Sequence, residues 1–263
     1  MTTNAGTPQA IAAAIAGNDI PVPNAQGLII KRPTRSTKKI KIKMNLYGKS
    51  GVGKTRLALQ IAKHFKTFLI FSEKSETSIV NHPDFDQIEK NLEFVEVDSW
   101  NGVKGAFDYV TENQNNYEWI IVDSLTDINK RVIEDVTESS KEETMSMRQW
   151  GQVTNRMERF IRYIRDLKTN IAFICLSTGD KNEMTGEITQ YPSLTGRLKE
   201  EFPAYLDING YMYTLEDKTN PGQTQRAIQF TSSPKAIAKD RFDKLQYEYA
   251  DMTAIFKKLG ILD

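Results

Sequence analysis

Residues 48–55 read GKSGVGKT, and the fold is read outward from them. The stretch fits GxxxxGK[ST], in which Gly48 and Gly53 permit a tight loop whose backbone N–H groups, across Lys49, Ser50, Gly51 and Val52, wrap a phosphate chain. Lys54 is placed to reach the β- and γ-phosphates and Thr55 to ligate Mg²⁺. The helix that starts with Lys54, Thr55 and Arg56 turns its partly positive N-terminus toward the anion. ATP and Mg²⁺ are the cofactors implied.

Such a loop needs a strand before it and a helix after it. KIKIKMNLYG precedes it and RLALQIAKHF follows. Farther on come TFLIFS, NLEFVEV, the helix-like GVKGAFDYVTENQ, and YEWIIVDS. Short β-branched runs separated by helical patterns indicate βαβ units and a mainly parallel central sheet flanked by helices, an α/β fold. Val153, Met157, Phe160, Ile161, Ile164 and Leu167 recur at three- and four-residue spacing and predict a long helix over 147–167. IAFICLS reads as a fifth strand. Residues 178–201 show little periodicity and read as a long polar connection, which in a compact domain is usually functional. INGYMYTLED and QTQRAIQFTS flank an Asn-Pro-Gly turn at 220–222 and predict a C-terminal antiparallel hairpin, with a short helix, DMTAIFKKLG, closing the chain.

The metal partner of the loop should be an acidic residue ending an apolar strand, and WIIVD supplies Asp123; Asp or Ser at this point also suits a helix N-cap. Two βα units between the loop and Asp123 leave room for a strand inserted between the two motif strands, as in ATPases that polarise water with a glutamate. Ser124 follows Asp123, so that glutamate must come from another strand end. FLIFSEKSE offers Glu73, with Glu76 one turn on, and the carboxyl edge of the sheet brings Glu73 within reach of a γ-phosphate.

The 35 basic and 34 acidic residues leave a formal charge of +1, which excludes a uniformly basic nucleic-acid coat. Seven of the basic residues fall within 1–43 against one acidic residue, Asp19. Residues 1–38 therefore read as a flexible basic arm ahead of a folded region at 39–263. GLII at 27–30 is an apolar patch suited to a neighbour's sheet edge. No apolar run approaches the roughly 20 residues that span a bilayer, and no basic leader precedes the alanine-rich start, so a cytoplasmic setting without membrane contact is expected. Cys175 is the only cysteine; it cannot form an internal disulfide and reads as a buried small side chain, while Trp150 reads as a core anchor.

On these residues the chain resembles the RecA-like P-loop ATPases, and among them the phage nucleotide-binding proteins of the Sak single-strand-annealing group. The resemblance rests on GKSGVGKT, Glu73 in LIFSE, IIVDS at Asp123 and Ser124, RQWG before the long helix, FICLST and KDRF at 239–242. It implies that Glu73 activates water and that Ser177 and Thr178, closing FICLST, report the γ-phosphate to a DNA-binding loop. It also implies that Lys239 and Arg241, two apart and facing one way on an extended segment, reach the nucleotide of a neighbouring subunit. A homo-oligomer, ring or filament, with ATP at its subunit interfaces follows. Lys181, Tyr191, Arg197 and Lys199 combine cations with an aromatic in the 178–201 segment and are candidates for sequence-neutral contact with single-stranded DNA, although the segment as a whole is acidic. The function expected is ATP hydrolysis coupled to annealing or strand exchange. The alternative is a nucleotide switch or loader acting on a single-strand-binding or replication protein.

Overall fold

The computed structural model describes residues 40–73, 76–138, 144–217, 220 and 222–263. The basic arm, its GLII patch and Pro221 of the hairpin turn lie outside them. In chain order the elements are β1 (Lys43–Gly48), α1 (Lys54–Leu59), β2 (Thr67–Phe71), the short helices α2 (Thr77–Val80) and α3 (Phe85–Ile88), β3 (Leu92–Glu96), α4 (Trp100–Glu112), β4 (Trp119–Asp123), α5 (Leu125–Glu138) and α6 (Met147–Asp166). They continue with β5 (Asn170–Lys181), β6 (Ile188–Pro192), α7 (Leu198–Glu201), β7 (Ile208–Glu216), β8 (Thr224–Gln229), β9 (Lys239–Asp240), β10 (Tyr247–Tyr249) and α8 (Met252–Leu259).

One sheet runs in the order β10-β8-β7-β1-β5-β4-β2-β3, with β6 added to β5 and β9 to β7. From β7 to β3 neighbouring strands are parallel. The C-terminal strands β8, β9 and β10 and the hairpin strand β6 are antiparallel. β1, β2 and β4 are buried along their whole length, as central parallel strands covered on both faces must be, and their near-continuous apolar runs reflect it.

Two helical layers supply the cover. On one face, α4, α5 and α6 pack around Phe107, Val132, Met157 and Ile164. The α6 stripe is as expected, with Val153, Met157, Phe160, Ile161 and Ile164 all buried. Its start is fixed by a capping box between Ser146 and Gln149. On the other face, α1 and α8 cover Met44, Leu46, Leu69 and Ile121, and Phe256 of α8 stacks on Trp119 of β4 with centroids 5.1 Å apart. The parallel core, the β7–β8 hairpin, the closing helix and buried Cys175 all match the sequence reading.

Two expectations need correction, those for residues 178–201 and Trp150. The inserted strand is there: β5, from later in the chain, separates β1 from β4, and β2 and β3 lie beyond β4. The apolar IAFIC core of β5 takes the doubly covered place, whereas β3, only partly buried, forms the edge. Residues 178–201 are not a structureless connection: β5 continues to Lys181 and turns back into β6, and α7 follows. Most side chains of this hairpin face solvent, so neither of its faces imposes an apolar alternation. Trp150, in the first turn of α6, is 40% exposed rather than a core anchor, although it shares the helix face of Met157 one heptad on.

Lys43, at the start of β1, is buried, and its ammonium donates to the carbonyls of Leu167 (2.8 Å) and Thr169. Burial lowers its pKa from 10.5 to about 8, against the opposing pull of Asp207. Between those two values the unfolded chain holds more protons than the folded one, so the folded state gains as pH rises through that window. The stability of the wild type relative to Lys43→Met should therefore increase by about 2–3 kcal/mol between pH 7 and 10. Urea unfolding at the two pH values measures this, and a pH-independent difference would contradict it.

Candidate nucleotide-binding site

β1 delivers the chain to the phosphate loop at Gly48, and α1 carries it away from Lys54. Two glycines hold the turn by conformation, Gly51 at φ 75° and Gly53 at φ 97°, in the left-handed region that favours glycine. Gly48 is required for another reason. A Cβ there would lie 2.2 Å from the Met212 carbonyl oxygen of β7, so a side chain would force β1 and β7 apart.

Lys54 is buried, and its Nζ donates to the carbonyls of Gly48 and Lys49, both at 2.9 Å, bridging the base of the loop. Burial lowers its pKa while the nearby Asp123 opposes the shift. Thr55, next on α1, donates from Oγ1 to Asp123 Oδ2 at 2.6 Å. Helix register thus points the lysine at the loop and the threonine at β4.

Asp123 closes β4 with 2% exposure. Burial pushes its pKa up to about 6 and Glu73 adds to the rise, against the Thr55 hydrogen bond and Lys54. A buried carboxylate with so little compensation favours a cation beside it. Among the described residues no group of three or more His, Cys, Asp or Glu is arranged as a metal cage. The Thr55 hydroxyl and the Asp123 carboxylate form the hard, sparse oxygen set that suits Mg²⁺, which completes its shell with water and substrate phosphates. The residues present therefore fit the metal.

Ser124 organises the other carboxylate. Its Oγ donates to Glu73 Oε1 at 2.8 Å and accepts from the Asp127 N–H at 3.1 Å, so one hydroxyl caps α5 and orients Glu73. Ser72 laces the two strand ends together. Its N–H donates to the Asp123 carbonyl at 2.8 Å, and its hydroxyl accepts from the Ser124 N–H at 3.0 Å. Lys54, Thr55, Glu73 and Asp123 all line one cavity of about 380 Å³ at the carboxyl edge of the sheet, with Ser50, Gly51, Gly53 and Arg56, where ligands of open α/β sheets bind. Glu76 is exposed ahead of α2 and is not part of the lining.

The remaining candidates lie elsewhere. Ser177 and Thr178 pair with Pro192 and Tyr191 in the β5–β6 ladder, while Ile174 and Leu176 are the β5 residues that meet the cavity. Of the DNA candidates, Lys199 is held by Asp180 with its ammonium 5.5 Å from the centre of the Tyr191 ring. Arg197 pairs with Glu201 at 3.3 Å, and Lys181 ends β5 exposed. Lys239 lies opposite Asn209 at the start of β7, and β7 runs parallel to β1 toward the phosphate loop. Lys239 and Arg241 therefore sit at the far end of the sheet from the loop of their own chain. Lys239 donates to the carbonyls of Pro203 and Leu206 at 3.0 and 2.8 Å. Arg241 donates to the Ala204 carbonyl at 3.0 Å and pairs with Asp207 at 3.3 Å, and half of its side chain remains exposed. Both cations thus face acceptors of their own chain within residues 203–207.

Sequence reasoning missed Ser72, Asn81 and Arg226, of which the last two line the cavity. Ser72 carries no pattern signal. Arg226 does carry one: in β8 it occupies the face of Ile228, whose side chain is buried, and a charge in an apolar register marks a position where something polar must be met.

Substitution of Lys54 by Ala removes the buried cation of the loop and should weaken ATP binding by about 100-fold or more. Glu73→Gln should keep ATP affinity within about threefold and lower kcat by about 10²–10⁴-fold, the range of a general base. Titration with a fluorescent ATP analogue and a phosphate-release assay separate the two effects; full turnover by Glu73→Gln would transfer the base role to Glu76.

Comparison with known proteins agrees with this geometry. A family model described as an AAA domain matches residues 40–242, a span that holds the loop, Glu73, Asp123 and the Lys239–Arg241 pair. No match is found among curated proteins. Since most of the chain is covered, from the first described residue of the body to the segment after β9, the protein belongs to the AAA-domain family of P-loop nucleotide-binding proteins.

Proposed function

We propose that this protein is a Mg²⁺-dependent, RecA-like ATPase that acts as a homo-oligomer on single-stranded DNA, promoting annealing or strand exchange in phage recombination or replication within the host cytoplasm. The observation that carries the hydrolytic part is the convergence of Lys54, Thr55, Asp123 and a Ser124-oriented Glu73 on one cavity. Loop amides and Lys54 bind the phosphate chain, and Thr55 and Asp123 hold the metal, which when bound neutralises phosphate charge. Glu73 accepts the proton of the attacking water, whose oxygen bonds to the γ-phosphorus as the bond to the ADP oxygen breaks. The hydrogen bond from Ser124 leaves the second carboxylate oxygen for that proton.

Support for assembly comes from the position of Lys239 and Arg241. They are remote from the phosphate loop of their own chain, so a catalytic role for them requires a second subunit. Arg241, half exposed, is suited to that role, whereas Lys239 is committed to carbonyls of its own chain. Support for DNA contact is the hairpin of β5 and β6, which projects from the carboxyl edge next to the cavity and carries Tyr191 beside Lys199. The second reading, a nucleotide switch or loader for a single-strand-binding or replication partner, draws on the pairing of Lys199 and Arg197 with carboxylates, which offsets the cations that DNA would need.

Single-stranded DNA should stimulate ATP hydrolysis by about tenfold or more at low salt, and the stimulation should fall as salt rises because phosphate contacts release counterions. Absence of stimulation, together with no co-sedimentation of ATP-bound protein with DNA, would favour the switch. A Lys239→Ala, Arg241→Ala double variant should lose turnover, keep ATP affinity, and regain activity when mixed with Lys54→Ala protein. Mixtures no more active than their components would argue against shared sites.

A further inference from the structure

Besides Lys54 and Arg56, which follow the loop at the start of α1, the nucleotide cavity is lined by a cation from a distant part of the chain, Arg226. Arg226 lies on β8, paired with Thr214 of β7. Two residues earlier in β7, Met212 touches Gly48, so the antiparallel return of β8 brings Arg226 over the loop. Its Nε, Cζ and Cδ lie 3.1, 3.2 and 3.3 Å from the position where residue 53 would carry a Cβ. Gly53 therefore does two things: it adopts a left-handed backbone and leaves the surface on which the guanidinium rests. Arg226 lines the same cavity as Ser50, Gly51 and Lys54.

Arg131, Arg156, Arg162, Arg165, Arg197 and Arg241 each pair with a carboxylate. Arg226, like Arg148 and Arg159, makes no ion pair or side-chain hydrogen bond with any described residue, and of these three only Arg226 lines the nucleotide cavity. It shares the cavity with the Lys54 ammonium and the loop residues Ser50, Gly51 and Gly53, and with the Asp123 and Glu73 carboxylates, neither of which pairs with it. Its charge is therefore left for a polyanion that enters beside Lys54. A planar guanidinium is also the side chain best matched to two phosphate oxygens at once.

We propose that Arg226 is a second cationic nucleotide-binding residue, supplied from β8 of the same chain, which holds phosphate oxygens of ATP alongside Lys54. The inference rests on the ATP-binding reading of the cavity. It makes the C-terminal hairpin a part of the nucleotide site and separates this cation, acting within its own subunit, from the Lys239–Arg241 pair.

The test uses the full chain and two ligands, a fluorescent ATP analogue and inorganic tripolyphosphate as its competitor. In Arg226→Gln the affinity for both should fall by about tenfold, and Arg226→Lys should recover part of it. Unchanged melting temperatures of both variants without nucleotide show that the fold is kept. The proposal is overturned if Arg226→Gln binds the analogue within twofold of the wild type, or if it loses the analogue while keeping tripolyphosphate, which would move the contact to the base or ribose. If a variant melts lower, Arg226→Met gives the decisive comparison, because it keeps the unbranched apolar stem of the side chain without its charge. A wild-type protein that binds neither ligand would instead refute the ATP-binding reading itself.

Discussion

The position of β1 between β5 and β7 is the constraint on which the rest of the molecule depends. Its six residues are fully buried, their registers with both neighbours are continuous, and the strand ends where a carbonyl of β7 leaves no room for a Cβ at Gly48. Everything chemical is measured from that point. α1 starts six residues on, which sets Lys54 across the loop and Thr55 against Asp123; β4 reaches Asp123 because β5 fills the gap between the two motif strands.

Lateral order then does what no single segment can. Glu73 and Asp123 are fifty residues apart along the chain and lie on neighbouring strands, where Ser72 and Ser124 tie the two ends by mutual hydrogen bonds. The same economy appears on the β5 side. Thr126 of α5 accepts from the Leu176 N–H at 3.0 Å and donates to the Ser193 carbonyl at 3.1 Å, while Asn129 and Thr195 exchange hydrogen bonds at 2.7 and 3.0 Å. The helix that follows β4 is thus fastened to β5 and to the residues that leave β6.

Much of this was legible in the sequence because it is local. A glycine-rich loop between an apolar strand and an amphipathic helix, a carboxylate after four apolar residues, and a helical stripe over 147–167 all announce themselves within short windows. What escaped was either lateral or two-sided in polarity. Strand order is not written in any one strand, so room for an inserted strand was legible but not that β5 fills it. The β5–β6 hairpin has solvent around it, and without a buried face its alternation disappears. Arg226 was missed because a pattern reading treats the β7–β8 hairpin as a C-terminal addition, when its second strand turns back over the phosphate loop. Gly48 was recognised, but its cause is a neighbour 164 residues away rather than its own dihedral angles.

The stacking of Phe256 on Trp119 bears on how this molecule can be divided. The family resemblance ends at residue 242, yet β10 pairs with β8 and α8 buries Met252, Ile255, Phe256 and Leu259 against the underside of the strands that hold the site. Homology and mechanics therefore draw different borders. Residues 243–263 serve the region shared with relatives as a keel: none of them lines the nucleotide cavity, and Phe256 and its neighbours in α8 pack on the face of β4 that carries Trp119 and Ile121.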